Sequence, residues 1–193
     1  MEKLLYINAC IRGNDSRTGI VASHIINTLK EKYEIEQIDL TTSALPPIDA
    51  GQFKKRGQGV YPPYAVEYAK KLASADRIVI AMPFWDMSFP SVFKVFCENI
   101  SINGITFLDN EDHSTRGLCK ASKIMLITTR GMEIEDNSPL DQGTSYLKAL
   151  SWLWGIDEVL VVSAIGMDTC DDDTRAHRLN KAIDTGLSLC KEF

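Results

Sequence analysis

The residues with the strongest chemical character stand together at Pro83-Phe84-Trp85-Asp86-Met87. They follow Ile78-Val79-Ile80-Ala81-Met82, an apolar, mostly β-branched run with the composition of a strand buried on both faces. Proline donates nothing to a strand ladder, so the strand is expected to stop at Pro83. Two aromatic rings, an acid and a thioether then form a loop at the carboxyl end of a central strand, the place where open α/β sheets hold ligands. Such a loop offers a wall to something flat. Thr129-Arg130-Gly131-Met132 closes the apolar run that begins at Lys123, and forms a second loop on the same sheet edge. A third candidate is Ser16-Arg17-Thr18, just ahead of helically spaced Ile20, Val21, Ile25, Ile26 and Leu29. A helix start turns free N–H groups and a positive dipole end toward a phosphate. The hydroxyls of Ser16 and Thr18 add donors, and Arg12 or Arg17 adds charge. The same hydroxyls also suit plain helix caps, and from the segment alone the cap is the favoured role, since such caps are common.

Several other chemistries lack their residues. A dinucleotide fingerprint needs Gly-x-Gly-x-x-Gly after the first strand, where only Gly13 and Gly19 occur, and no Gly-Lys-Ser/Thr phosphate loop is present. Strand one ends in Asn8-Ala9-Cys10 and Asp86 is a lone carboxylate, so a magnesium-bearing acid cluster is not expected. His24, His113 and His177 are scattered, with no metal-ligand spacing. Cys10 lies at the ligand edge, but without a nearby His or second Cys its type fits a small packing residue. Trp152 and Trp154, on an apolar helix, suit the core or a patch buried between subunits.

The elements that must position these loops alternate along the chain. Strands are expected over 3–9, 35–40, 78–82, 123–129 and 158–165. Helices are expected over 18–32, 64–75, 89–102, 141–154 and from Asp171-Asp172-Asp173 to about Cys190. Two excursions interrupt the rhythm, at 41–63 and 104–122. The first fits either a mobile surface excursion or a flap beside the site or at a subunit contact. Strand–helix alternation throughout implies a parallel sheet with helices on both faces, and five strands fit the order 2-1-3-4-5.

Composition narrows the setting. A chain of 193 residues with 45% apolar residues fits a single domain, 1–193, with one sizeable core. A net charge of −5 and a pI near 5.2 argue against nucleic acid and anionic membrane partners. No window approaches a membrane span, and no signal peptide is expected. Five cysteines, an odd number without metal or redox spacing, point to reduced thiols and a cytoplasmic setting.

Taken in order, these segments resemble the FMN-dependent NADH-azoreductases, or NAD(P)H:quinone oxidoreductases, of the flavodoxin-like fold. Ser16-Arg17-Thr18 stands where that family has Ser-x-Ser, and Pro83-Phe84-Trp85-Asp86-Met87 where it has a loop such as Pro-Met-Tyr-Asn-Phe. Thr129-Arg130-Gly131-Met132 stands for Ser-Arg-Gly-Gly. Gly104-Ile105-Thr106-Phe107 and Leu45-Pro46-Pro47-Ile48-Asp49 add two further matches. The chain departs from the family at Cys10 for a serine, Asp86 for an asparagine and Met132 for the second glycine.

The resemblance implies a flavodoxin-like three-layer α/β sandwich that binds FMN. Cys10, Ser16, Arg17 and Thr18 would lie at the phosphate end, and residues 83–87 and 129–132 around the ring. Backbone amides near Asp86 and at Arg130-Gly131 would meet the ring's polar edge, Gly131 would allow its close approach, and the Arg130 side chain would either favour the reduced, anionic cofactor or form a surface ion pair. It further implies NADH or NADPH as donor, a quinone or azo compound as acceptor, hydride transfer in two half-reactions, and a homodimer. No side chain is expected to act as nucleophile, and solvent or Tyr146 would supply a proton. A flavodoxin-type electron carrier and a non-catalytic flavodoxin-like binding module are the rival readings.

Overall fold

The computed structural model describes residues 1–43 and 45–193; Ala44, in the expected 41–63 excursion, lies outside the described residues. In chain order the elements are β1 (Glu2–Asn8), α1 (Arg17–Leu29), β2 (Tyr33–Asp39), α2 (Ala50–Arg56), α3 (Pro63–Ser74), β3 (Arg77–Ala81), α4 (Ser91–Ile100), β4 (Phe107–Asp109), β5 (Thr115–Gly117), β6 (Lys123–Thr129), α5 (Gln142–Trp154), β7 (Glu158–Ala164) and α6 (Asp172–Leu189). The main sheet runs β2-β1-β3-β6-β7, with every pairing parallel. This is the expected 2-1-3-4-5 order.

Composition explains the order. Ile78, Val79, Ile80 and Ala81 of β3 are fully buried, because side chains on both pleat faces meet helices. Ile78 and Ile80 pack with Phe93, Phe96 and Trp154 from α4 and α5, while Val79 and Ala81 pack with Ile25 and Leu29 of α1. The edge strand β2 keeps only Tyr33 and Ile38 buried. Trp152 and Trp154 take opposite fates: Trp154 is buried and Trp152 is 71% exposed.

Both excursions hold structure that periodicity did not reveal. Residues 50–56 form α2, only seven residues long and started by the Asp49 carboxylate accepting from the Gln52 N–H. Arg56 donates to the carbonyls of Asn99 and Ser101, at the end of α4 remote from loop 83–88. Residues 107–117 form the β4–β5 hairpin, with strands too short to show a period. The hairpin crosses the end of α5 so closely that a Cβ on Gly117 would lie 1.9 Å from the Gly155 nitrogen. Pro90, expected in the first turn of α4, is instead its N-cap, and Phe89 precedes the helix.

Candidate functional site

The sheet ladder continues past the strand ends and aligns the loops beyond them. The Ala9 N–H donates to Ala81 O, Met82 N–H to Ile127 O, Phe84 N–H to Thr129 O and Arg130 N–H to Ala164 O, at 2.8–3.1 Å. Four loops therefore leave one edge in register, after β1, β3, β6 and β7. Three of them carry the residues expected from sequence. The fourth, after β7, brings Asp168.

At the β1 end, Ser16 caps α1, its Oγ accepting from the Gly19 N–H at 3.1 Å. The cap accounts for one amide of the first turn. The Arg17 and Thr18 N–H groups precede the point where intrahelical acceptors begin and have no acceptor among the described residues. Thr18, fully buried, places its Oγ1 2.7 Å from Thr129 Oγ1. That contact joins the helix start to the loop after β6 across 111 residues of chain. Cys10 lies beneath this end: its N–H donates to Asn8 Oδ1, its thiol contacts the Ala81 carbonyl, and burial pushes its pKa up to about 11. Cys10 supports the turn from behind and lines none of the hollows at this edge.

At the β3 end the chain makes a tight hairpin. Trp85 and Ser88 exchange two backbone hydrogen bonds, and Asp86 and Met87 both adopt positive φ, at 47° and 67°. Aspartate tolerates this region; methionine does so at a cost of about 1–2 kcal/mol. The Gln142 N–H, donating to Met87 O, holds the strained turn. The turn lifts Trp85, 40% exposed, and leaves the Asp86 N–H without an acceptor among the described residues. The Gly131 and Met132 N–H groups, across the edge, are equally free.

Arg130 departs from expectation. Its side chain is wholly buried and fully engaged by neighbours. It donates to Ile134 O at 2.7 Å, Asp141 Oδ2 at 2.8 Å and Thr144 Oγ1 at 3.3 Å, and lies 2.7 Å from Asp136 Oδ1 outside hydrogen-bond angles. Its Nε has no acceptor among the described residues, and its guanidinium carbon lies 5.2 Å from the centre of the Phe84 ring. Two acids absorb its charge and Ala164 takes its N–H, so neither is free for a cofactor's ring edge. Asp141 also caps α5. Burial alone would raise its pKa, but the Thr144 and Asn137 N–H groups, the Thr144 hydroxyl and Arg130 hold it below the usual carboxylate range. Gly131 lines two hollows at this edge, and the space a Cβ would take there contains Asp168 Oδ2, 2.2 Å away.

The walls enclose a hollow of about 130 Å³ at the α1 end, lined by Ser16, Arg17, Thr18, Phe84, Thr129 and Asp168 among others. A second, of about 430 Å³, lies between Phe84-Trp85-Asp86 and Gly131-Met132. A third, of about 800 Å³, opens on the other side of the hairpin, lined by Trp85, Asp86, Phe89, Lys94 and Tyr146. Trp85 borders all three. Met87 borders none of the three and forms the turn itself, at positive φ. The donor set suits a group with a phosphate at one end and a flat ring with a polar edge at the other: free amides, buried hydroxyls and an arginine, then aromatic walls and free amides. Asp168 at this edge, and Asp136 and Asp141 as the partners of Arg130, were not evident from the sequence. Their signal was topological, since the loops after β6 and β7 issue from the same edge.

Residues 2–186 match the model of the flavodoxin-like fold family, and the chain belongs to that family. It is similar, at 29% identity over 201 residues and the full length of both chains, to an "FMN-dependent NADH:quinone oxidoreductase" of Clostridium perfringens. A protein of that description from Coprothermobacter proteolyticus is 28% identical over 204 residues, again over both full lengths. Among solved structures, an FMN-dependent NADH-azoreductase of Bacillus anthracis in complex with FMN is 25% identical, with a TM-score of 0.79 over 98% of this chain and 100% of that one. An azoreductase from the Sterne strain of the same organism matches over the full length of both chains with a TM-score of 0.84; at 19% identity it supports the fold alone.

Proposed function

We propose that this chain, as a single flavodoxin-like domain over 1–193, is an FMN-dependent NAD(P)H oxidoreductase that reduces quinones or azo compounds. The observation that carries the reading is the Thr18–Thr129 contact, which fixes a bare helix start against an aromatic-walled loop pair in one edge. Full-length relatives named for FMN-dependent quinone reduction support it.

In this reading Ser16, the Arg17 and Thr18 amides and the Arg17 side chain hold the phosphate. Phe84 and Trp85 pack on the ring, and the Asp86, Gly131 and Met132 amides serve its polar edge. FMN, when bound, supplies the hydride chemistry, and the protein supplies position and electrostatics. Donor and acceptor use the site in turn, and the larger hollow beside Trp85 admits the acceptor. Tyr146 lines that hollow; burial raises its pKa against the opposing charge of Lys94, so its O–H stays a donor across neutral pH. The Asp86 side chain is exposed and leaves cofactor contact to its own N–H. A homodimer belongs to the same reading, with exposed Trp152, Leu140 and Met132 available for a second copy. So does a cytoplasmic location, which the odd set of thiols favours; no helix among the described residues is long and apolar enough to cross a membrane.

The test is NADH oxidation by purified protein with menadione, with and without added FMN. Turnover that depends on both FMN and menadione is expected. Protein that binds FMN yet passes no electrons from NADH or NADPH to menadione would support the carrier instead.

A further inference from the structure

Resting on the FMN reading, we propose that Asp168 sets the strength of the phosphate end by competing with the phosphate for Arg17. Arg17 is the first residue of α1, where the free amides are, and its Nη1 lies 2.6 Å from Asp168 Oδ1. Asp168 reaches this point from the β7–α6 loop, and its position is built rather than incidental. Its N–H donates to Gly131 O at 3.0 Å. Its second oxygen occupies the space that a Cβ on residue 131 would take, so a larger residue there would have to displace the carboxylate from this position. The carboxylate thereby borders both the smaller hollow and the ring-side hollow.

The other charged groups in the smaller hollow are Arg12, Arg17 and Arg130, and Arg130 is already neutralised by its own acids. A carboxylate in an anion site opposes that site twice. It occupies the arginine that the phosphate needs, and it repels the phosphate directly. Riboflavin has the same ring and no phosphate, so neither penalty applies to it. Asp168 is therefore a selectivity-determining residue that lowers affinity for FMN and leaves riboflavin almost untouched. With its side chain 66% exposed, it is replaceable without disturbing the core.

The experiment measures dissociation constants for FMN and riboflavin, by flavin fluorescence, on flavin-free full-length chain. The variants are wild type, Asp168→Asn, Arg17→Met and the double variant. Asp168→Asn is expected to tighten FMN about fivefold or more, as loss of a competing charge at a half-exposed site allows, with riboflavin changed less than about twofold. The share of that gain that comes from freeing Arg17 should vanish when Arg17 is already Met, and only the share from direct repulsion should remain. Three results overturn the proposal while leaving the flavin reading intact: unchanged or weaker FMN binding by Asp168→Asn, equal tightening of both flavins, or the full gain persisting in the Arg17→Met background. Wild-type protein that binds neither flavin overturns the flavin reading and this proposal together.

Discussion

Two arginines stand at the same sheet edge, and the structure treats them in opposite ways. Arg130 is sealed from solvent, with Asp141 and Asp136 on its guanidinium and Phe84 against its face. Arg17 is partly exposed and held by one carboxylate that is itself mostly in water. The first cluster is scaffold: it ties the loop after β6 to the cap of α5 and to the aromatic wall. The second is exchangeable, because an exposed pair is worth little and a ligand can replace either partner. In the proposed reading the functional charge at this edge lies at the helix start, and the buried charge holds the edge in shape.

The comparison breaks first at Arg130. Arg130→Met leaves Asp141 buried without its counter-charge and should destabilise the chain by about 3–5 kcal/mol in denaturant unfolding. A loss near that expected for a surface arginine would remove the distinction. Acid sharpens the same point. The folded Asp141 carboxyl titrates below its unfolded value, so its contribution is complete above about pH 4 and is lost as pH falls through the lower folded pKa. Asp141→Asn should therefore lower stability at pH 7 and flatten the decline below pH 4, followed by thermal unfolding across that window.

A smaller effect is expected where the two regions meet. Thr129→Val leaves the buried Thr18 hydroxyl without its partner and should cost about 1–3 kcal/mol. The Thr18→Val, Thr129→Val double variant should cost less than the two single losses added, and simple additivity would contradict the contact. The smallest effect belongs to Arg17→Met, which should change stability by no more than about 0.5 kcal/mol while weakening FMN binding. A stability loss comparable with that of Arg130→Met would make Arg17 scaffold as well.

The same contrast explains what could be read from sequence. The five main strands were legible because Ile78 to Ala81 and Ile124 to Ile127 are unbroken apolar runs, and the parallel order follows from alternation. The helix α2 and the β4–β5 hairpin were not, because seven- and three-residue elements are too short for periodicity to emerge. That Ser16, Thr18, Trp85 and Thr129 would come together at one sheet edge was legible from their placement after strands. The direction of the Arg130 side chain was not: it depends on Asp136 and Asp141, which come near only once the loop after β6 folds back. Asp168 was hidden for the same reason, since a lone acid in a polar loop has no local signature and gains meaning only beside Arg17 and Gly131.

The most direct measurement is titration of flavin-free protein with FMN, followed by the flavin's visible absorption, for wild type and Trp85→Ala. The account predicts saturable binding of one equivalent per chain with a perturbed flavin spectrum, and clearly weaker binding with Trp85→Ala, whose ring borders every hollow at this edge. A flavin spectrum that stays that of free FMN throughout, or binding indifferent to Trp85, would contradict it.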